Sequence, residues 1–179
     1  SRSGADITAV YPELQALAGV VAAEDAVLDG EIVSFDRNGA PSFSRLQQRM
    51  GLIGKREVDR ARRAAPASFL VFDVLRLEGR DCRRLPYRQR RELLAELLEE
   101  DPAVPVVAPP AFEGDAGEAV AASRELGLEG IVAKRRESPY RSGVRSPDWV
   151  KYPLIETQEG VVIGWGSSEA DAPGAPPPP

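Results

Sequence analysis

The chain has 179 residues and is 42% hydrophobic, which is enough for one ordinary domain with a core and too little for two. It has no histidine and one cysteine, Cys82, so histidine-dependent catalysis, histidine-ligated metal sites and an internal disulfide are excluded within it. A net charge of −5 argues mildly against a nucleic-acid partner, and no apolar run is long enough to span a membrane.

The N-terminal half predicts short elements separated by turn signals. Tyr11 to Val21 predicts a short helix from the spacing of its apolar residues. Ala26 to Asp36 predicts a strand, because the turn signal Arg37-Asn38-Gly39 follows it. Ser42 is a candidate N-cap for a helix that ends near residue 50. Residues 51–67 are basic, Ala-rich and weakly patterned, which predicts a mobile loop with some helix.

The C-terminal half predicts one long strand, one long helix and several shorter elements. Ser68 to Leu77 has a continuous apolar centre, which indicates a strand. Pro86 opens the clearest helix, Tyr87 to Glu100, whose arginine-rich first turn and acidic last turn oppose the helix dipole. The remaining predicted elements are a strand, a helix and three strands, over residues 104–107, 117–126, 128–135, 148–152 and 160–165. Short strands and helices that do not alternate regularly along the chain predict an α+β fold with antiparallel sheets and flanking helices.

Two segments place acids or an aromatic ring in apolar strands. Asp29 and Glu31, which flank Gly30, point to the same face of a strand, where two carboxylates are costly unless they bind something. An isolated pattern of this kind is more often a strand end with exposed acids. Phe72 comes just before Asp73 in an apolar strand, and an aromatic ring there can stack on a base, although a phenylalanine in a strand usually belongs to the core.

Two of the three lysines lie in or beside predicted strands. Glu129 and Lys134 bracket a strand, and Gly130 permits close approach of backbone or ligand. Strand alternation places Glu129 and Lys134 on opposite faces unless a bulge intervenes. Lys151 sits inside a strand-like run, where a buried or semi-buried lysine needs an anion partner. Without histidine, any metal must be held by carboxylates, which favour Mg²⁺ or Mn²⁺.

The order and spacing of these segments resemble the covalent nucleotidyltransferase superfamily. Within it, the chain is most similar to bacterial ATP-dependent DNA ligases of the end-joining type, from Ser1 to about Trp165. The segments that carry the resemblance are Asp29-Gly30-Glu31, residues 41–49 (P-S-F-S-R-L-Q-Q-R), residues 72–81 (F-D-V-L-x-L-x-G-x-D), residues 129–134 (E-G-I-V-A-K) and residues 146–151 (S-P-D-W-V-K).

The resemblance implies a domain organisation and site residues. Residues 1–155 are expected to form a partial adenylation domain of the nucleotidyltransferase, ATP-grasp-like type, residues 156–166 the start of an oligonucleotide-binding barrel, and residues 167–179 a disordered proline-rich tail. Phe72 is implied to stack on adenine, and the nucleotide-binding set is Glu31, Phe72, Lys134 and Lys151. Glu31 and Glu129 are implied to hold the metal, and Ser1 and Arg2 to contact the DNA backbone near a nick.

The chain departs from the family pattern in two places. The family's nucleophilic lysine is followed by x-Asp-Gly-x-Arg and is expected shortly before Ser1, and none of Lys55, Lys134 and Lys151 has that context. The chain is therefore expected to be N-terminally truncated, without a catalytic nucleophile and inactive alone. The second lysine of the last motif is replaced by Pro153, which removes one expected phosphate contact.

The implied function is the adenylation chemistry of an ATP-dependent DNA ligase, which seals nicks or joins ends in DNA repair through a lysyl-AMP intermediate. ATP, Mg²⁺ or Mn²⁺ and nicked or broken duplex DNA are the expected cofactors and partners, with end-joining repair proteins as further partners. A bacterial cytoplasmic location, away from membranes, is expected. The alternatives are an RNA ligase or capping-type nucleotidyltransferase, and a non-catalytic remnant that binds nucleotide or DNA.

Basic residues concentrate in two clusters, over residues 55–63 and 134–145. Charge runs are more commonly solvated loops than binding sites. On an acidic chain, two such clusters are still compatible with a local phosphate-binding face.

Overall fold

Two sheets of unequal size organise the chain in the computed structural model, which describes residues 1, 3–99, 101–112 and 114–154. The larger sheet has four strands, β1 (Ala26–Val33), β2 (Ser68–Leu77), β3 (Arg80–Asp81) and β4 (Val106–Val107). The smaller sheet pairs β5 (Gly130–Lys134) with β6 (Trp149–Pro153). Among the described strands only β4 runs parallel to its neighbour, β2. The predicted α+β fold with antiparallel sheets is confirmed.

Helices flank both sheets. They are two 3₁₀ helices (Thr8–Val10 and Pro12–Gly19) and the α-helices α1 (Phe43–Gln47), α2 (Lys55–Ala64), α3 (Tyr87–Leu97) and α4 (Ala116–Glu125). The strand β2 has the predicted bounds, and α3 begins at the predicted residue, directly after Pro86. Leu94 and Leu97 of α3 are buried, as the apolar spacing of that helix requires.

The prediction for residues 51–67, a mobile loop with some helix, gave the helix too small a share, because α2 occupies ten of these positions. Its sequence is dominated by arginine, alanine, lysine and glutamate, which have high helix propensity. Val58 is its single buried residue, at 4% exposure. One apolar anchor gives no repeating stripe in the sequence, and for this reason the periodicity of the sequence does not reveal the helix.

The arginines in the first turns of α3 have tertiary partners that offset the unfavourable helix dipole. Arg90 is fully buried and forms a two-pronged ion pair with Asp73 of β2, with N–O distances of 2.7 and 3.0 Å. Arg88 pairs with Glu137 at 2.7 Å, and Arg91 donates to the carbonyl of Pro109. These contacts attach the start of α3 to the larger sheet and to the segments around it.

The predicted strand over residues 160–165, the barrel segment over 156–166 and the tail over 167–179 lie outside the described residues. Within the part of the chain that the structure covers, no helix combines the length and the apolar character needed to cross a bilayer.

Candidate nucleotide site

The strand β2 has a bulge at Phe72. Asp29 of β1 pairs with Asp73, and the next residue, Gly30, pairs with Val71, so Phe72 is the extra residue. A bulge interrupts the alternation of a strand and re-aims a side chain. Phe72 is half-buried, whereas Val71 and Asp73 on either side of it are fully buried. Phe72 therefore lies on the less enclosed side of the strand, between two residues that point into the interior.

The ammonium group of Lys134 lies among three aromatic rings. Its Nζ is 4.0 Å from the ring centroid of Trp149, 4.3 Å from that of Phe72 and 5.0 Å from that of Tyr87. These distances are within the range of cation–π attraction. Lys134 ends β5, Trp149 begins β6, Phe72 belongs to β2 and Tyr87 begins α3. Four elements thus converge on one lysine.

Burial lowers the pKa of Lys134 to about 8, because removal from water disfavours the ammonium form. The carboxylates of Asp73 and Asp29 oppose this shift, and the guanidinium groups of Arg91 and Arg90 add to it. A phosphate group beside Lys134 would restore the charged form, because an anion stabilises the ammonium.

Tyr140 connects the two sheets at this place. Its hydroxyl donates a hydrogen bond to Oδ2 of Asp29 in β1 over 2.8 Å. Its ring meets the Trp149 ring of β6 edge to face, with centroids 5.5 Å apart. Burial, together with the bond to Asp29, raises the pKa of Tyr140 to about 12, so the phenol stays a donor at neutral pH.

Lys134 and Lys151 share one face of the smaller sheet. Lys134 pairs with Trp149, and Val132 pairs with Lys151 two residues away. Paired residues and their second neighbours point to the same side of a sheet. The pairing is regular along the whole length of β5 and β6, so no bulge changes this arrangement.

Lys151 is exposed, so the expectation that it is buried or semi-buried is wrong. It lies in the middle of β6, in a sheet of only two strands, and its cross-strand neighbour Val132 is itself 52% exposed. A strand-like sequence does not reveal how much of the strand another layer covers. The partly buried lysine is instead Lys134.

Both glutamates expected at a metal are exposed. Glu31 lies in β1 and, by strand alternation, shares the face of Asp29. Glu129 directly precedes β5, and its carbonyl accepts a hydrogen bond from the amide of Leu154. Among the described residues, no three side chains of aspartate, glutamate or cysteine form a ready metal cage. The structure gives no contact between the two carboxylates, so their shared site stays a prediction.

The glycines beside these acids are explained by the packing of the protein. A Cβ atom at Gly30 would collide with the carbonyl oxygen of Leu70 and the ring of Phe69. At Gly130, where φ is +151°, it would collide with the carbonyl oxygen of Tyr152. Backbone approach, one of the two reasons expected for Gly130, is confirmed, and neither position needs a ligand to account for its glycine.

Of the two expected DNA-contacting residues, the structure describes only Ser1. Ser1 is exposed, and its hydroxyl accepts a hydrogen bond from the amide of Ala5 over 3.1 Å. Arg2 lies outside the described residues. Their role at DNA stays a prediction.

Sequence reasoning did not assign Tyr87, Trp149 or Tyr140 to the site. The chain contains only four tyrosines and two tryptophans, and these three lie around or beside Lys134. The sequence contains a signal near two of them, because Trp149 lies inside the S-P-D-W-V-K segment and Tyr87 follows the proline that opens α3. Their convergence depends on tertiary packing, which the spacing of the sequence does not encode.

Known proteins are similar to this chain in sequence and in fold. Residues 1–152 match the family model described as ATP dependent DNA ligase domain. The multifunctional non-homologous end joining DNA repair protein LigD of Mycobacterium tuberculosis (strain H37Rv) is 42% identical over 169 residues, which are 94% of this chain and 20% of that protein. A probable DNA ligase of Streptomyces coelicolor is 38% identical over 167 residues, 90% of this chain and 32% of that protein.

A solved structure also matches. The mycobacterial DNA ligase D complexed with ATP and MES has a TM-score of 0.67 and 42% identity, over 84% of this chain and 45% of that chain. The chain spans from a fifth to a third of the length of the curated relatives named above. Because the family model covers residues 1–152 and the fold agrees, the chain belongs to the ATP-dependent DNA ligase domain family.

Proposed function

We propose that this chain is the nucleotide-binding part of a ligase adenylation domain that serves nick sealing or end joining in DNA repair. The observation that carries the proposal is the position of Lys134 against Phe72, with a second cation, Lys151, on the same sheet face. An adenine ring needs a flat apolar surface, and a phosphate needs cations. The side chains around Lys134 offer both within one small group.

The roles divide by the chemistry of each side chain. Phe72 is half-buried, and we assign it to adenine, because stacking of a base on an aromatic ring is worth roughly 1–3 kcal/mol. Lys134 occupies one face of that ring, so a nucleotide on this face displaces the ammonium group toward the phosphate. Lys151, which is exposed, supplies a further positive charge at the phosphate.

Glu31 and Glu129 are assigned to a divalent cation. Mg²⁺ at nucleotide sites is commonly held by one or two carboxylates together with substrate phosphates and water. Both carboxylates are exposed, and in the part of the chain that the structure describes neither belongs to a group of three acids, which fits a cation that arrives with ATP better than an enclosed one. When bound, Mg²⁺ or Mn²⁺ would neutralise charge that develops on the phosphate.

The covalent step needs a lysine that these residues do not provide. None of the three lysines is followed by x-Asp-Gly-x-Arg, so we propose that the 179 residues alone do not form lysyl-AMP. In a protein that supplies the motif, the lysine amine attacks the α-phosphorus of ATP and pyrophosphate leaves. AMP then passes to the 5′-phosphate at a DNA nick, and the 3′-hydroxyl displaces AMP to seal the strand.

The proposed setting is DNA repair in a bacterial cytoplasm, with ATP and broken or nicked duplex DNA as substrates. LigD proteins, named for non-homologous end joining, are among the relatives of the chain, and this supports end-joining proteins as partners. The relatives are several times longer than this chain, so their other activities are not carried over.

The test is nucleotide binding reported by Trp149. In the Trp165→Phe variant, Trp149 is the only tryptophan, and its ring contacts Lys134. Titration with ATP should change its fluorescence in a saturable way, and Phe72→Ala should weaken the response. No change at saturating ATP, confirmed by equilibrium dialysis, would overturn the proposal.

The same titration separates one alternative, and an adenylate-transfer assay separates the other. A capping-type enzyme would prefer GTP over ATP. A non-catalytic remnant, which the lysine context favours, would bind ATP but support no adenylate transfer even when a peptide or protein carrying the missing lysine motif is joined to Ser1.

A further inference from the structure

The helix α2 presents a row of arginines to solvent. Arg56, Arg60 and Arg63 have i, i+4, i+7 spacing, which keeps them within about 60° of one another around a helix of 3.6 residues per turn. All three are exposed, whereas Val58 is buried on the opposite side. We call these three residues the arginine strip. It is the face of α2 that points away from the core.

The strip is not neutralised within the described part of the chain. The one ion pair that the structure gives for α2 joins Arg62 to Asp59 at 3.5 Å, and it leaves the three strip residues out. The helix has five basic and two acidic residues in ten positions, on a chain whose net charge is −5. Positive charge is therefore concentrated here against an acidic background, as a surface for an anionic partner requires.

The spacing of the strip suits a phosphodiester backbone. At a rise of 1.5 Å per residue, Arg56 and Arg63 lie about 10 Å apart along the helix axis. A DNA strand presents one phosphate for about every 3.4 Å of its axis. Arginine has a forked set of donors that matches phosphate oxygens. Arg63 also lines an open cavity of about 470 Å³ with Arg62 and Ser68, which leaves room beside the end of the helix.

We propose that the arginine strip binds the sugar–phosphate backbone of duplex DNA, at a surface made of other residues than the candidate nucleotide site. The choice of DNA as the anion rests on the proposed ligase function. None of the strip residues is among the residues assigned to the nucleotide, the metal or the nick. Contacts to phosphates carry no sequence information, so binding through the strip is independent of base sequence.

The test compares two charge-matched variants of the 179-residue chain. One is R56Q/R60Q/R63Q. The control, R80Q/R84Q/R124Q, removes three exposed arginines from other parts of the chain, none of them in an ion pair among the described residues. Glutamine is compatible with the helix of the strip variant, and circular dichroism checks that both variants are folded. Anisotropy of a labelled duplex, intact or nicked, gives the affinity over a series of salt concentrations.

The strip variant should bind duplex DNA at least about tenfold more weakly at low salt. The slope of log affinity against log salt concentration should decrease in magnitude by about 2 to 3, because each lost phosphate contact reduces that magnitude by about 0.9. The control should change the slope by less than about 1. Equal losses in both variants, no loss in the strip variant, or equal binding to polyglutamate or to an RNA duplex would overturn the inference.

ATP binding, measured in parallel, separates this inference from the proposed function. A strip variant that binds ATP normally and DNA poorly supports both. A strip variant that keeps the DNA affinity and salt slope of the wild type, while ATP binding is intact, overturns the inference alone. A wild-type chain that binds neither ATP nor DNA overturns both.

Discussion

The ammonium nitrogen of Lys134 lies 4.3 Å from the centre of the Phe72 ring, across the boundary between the two sheets. Phe72 is the bulge residue of β2, and Lys134 is the last residue of β5. If the nucleotide uses this ring, the lysine and the base compete for one of its faces, and the free lysine keeps the ring covered until ATP arrives.

Replacement of Phe72 should affect nucleotide affinity more than stability. Phe72→Ala should weaken ATP binding about 5- to 150-fold, which corresponds to the roughly 1–3 kcal/mol of a base–aromatic stack. Phe72→Trp should retain most of the affinity, because it keeps a flat ring. Isothermal titration calorimetry gives the affinity. Phe43→Ala, which removes a ring that is 61% exposed, is the control and should change nothing. A Phe72→Ala chain that melts earlier but binds ATP normally would place the ring in the core only.

ATP binding should be coupled to protonation of Lys134. Its pKa is about 8, so the ammonium is present below that pH and is lost as the pH rises through it. An α-phosphate raises the pKa again, so binding near pH 8 should take up a proton and should weaken at higher pH. Calorimetry in buffers with different ionisation enthalpies measures the uptake. Lys134→Arg, charged throughout this range, should give no proton uptake and a flat profile; an unchanged profile in that variant would contradict the assignment.

The Asp73–Arg90 pair should be far more important for stability than an exposed pair of similar length. Asp73→Asn leaves the Arg90 guanidinium fully buried without its counter-charge, which should lower the free energy of unfolding by about 3–5 kcal/mol. Urea unfolding measures the loss. The control is Asp81→Asn, in the exposed Asp81–Arg83 pair at 2.8 Å, and should give little measurable change. Similar small losses in both variants would mean that water relieves the buried arginine.

The chain alone should form no covalent AMP adduct. Incubation with radiolabelled ATP and Mg²⁺, followed by denaturing electrophoresis, should leave the protein band unlabelled, because no lysine has the x-Asp-Gly-x-Arg context. Intact folding is checked on the same sample by its far-ultraviolet spectrum. A labelled peptide that contains Lys55, Lys134 or Lys151 would contradict the prediction.

Glu31 and Glu129 should act together on the cation. Glu31→Gln and Glu129→Gln should each remove most of the enhancement of ATP affinity by Mg²⁺. The double variant should lose little more, because either single substitution already disrupts a site to which both carboxylates contribute. The control is Glu96→Gln, an exposed acid on α3. Additive effects of the two variants, or a loss equal to that of the control, would show that the carboxylates do not share a metal.

Local sequence signals predicted a helix or strand well where the residues of that segment alone determine its bounds. β2 has its predicted bounds because it is continuously apolar, and α3 starts where proline ends the preceding segment. The same signals missed α2, since a helix held by Val58 alone has no apolar stripe. They also left the arginines of α3 unexplained, because the partner of Arg90 is a carboxylate on another element.

The site was predicted only in part for the same reason. Phe72 and Lys134 were proposed from motif resemblance, and the structure brings them into contact. The bulge at Phe72 is set by the register of β1 against β2 and cannot be read from the sequence of β2 alone. Burial of Lys134 rather than Lys151 depends on which end of the β5–β6 sheet the rings of Phe72 and Tyr87 cover.

The docking of α3 against the segment after β5 has a consequence for how the two sheets are held together. The amides of Tyr87 and Arg88 donate to the carbonyls of Ser138 and Arg136, each over 2.9 Å, and in the described residues no ladder hydrogen bond joins β5 or β6 to the larger sheet. The smaller sheet is therefore joined to the larger one through loop hydrogen bonds and side-chain contacts, among them Lys134 against Phe72 and the bond from Tyr140 to Asp29. We expect these contacts to open at a lower free energy than the pairing of β5 with β6. Amide exchange that is faster at Tyr87 and Arg88 than within β5 would show this opening.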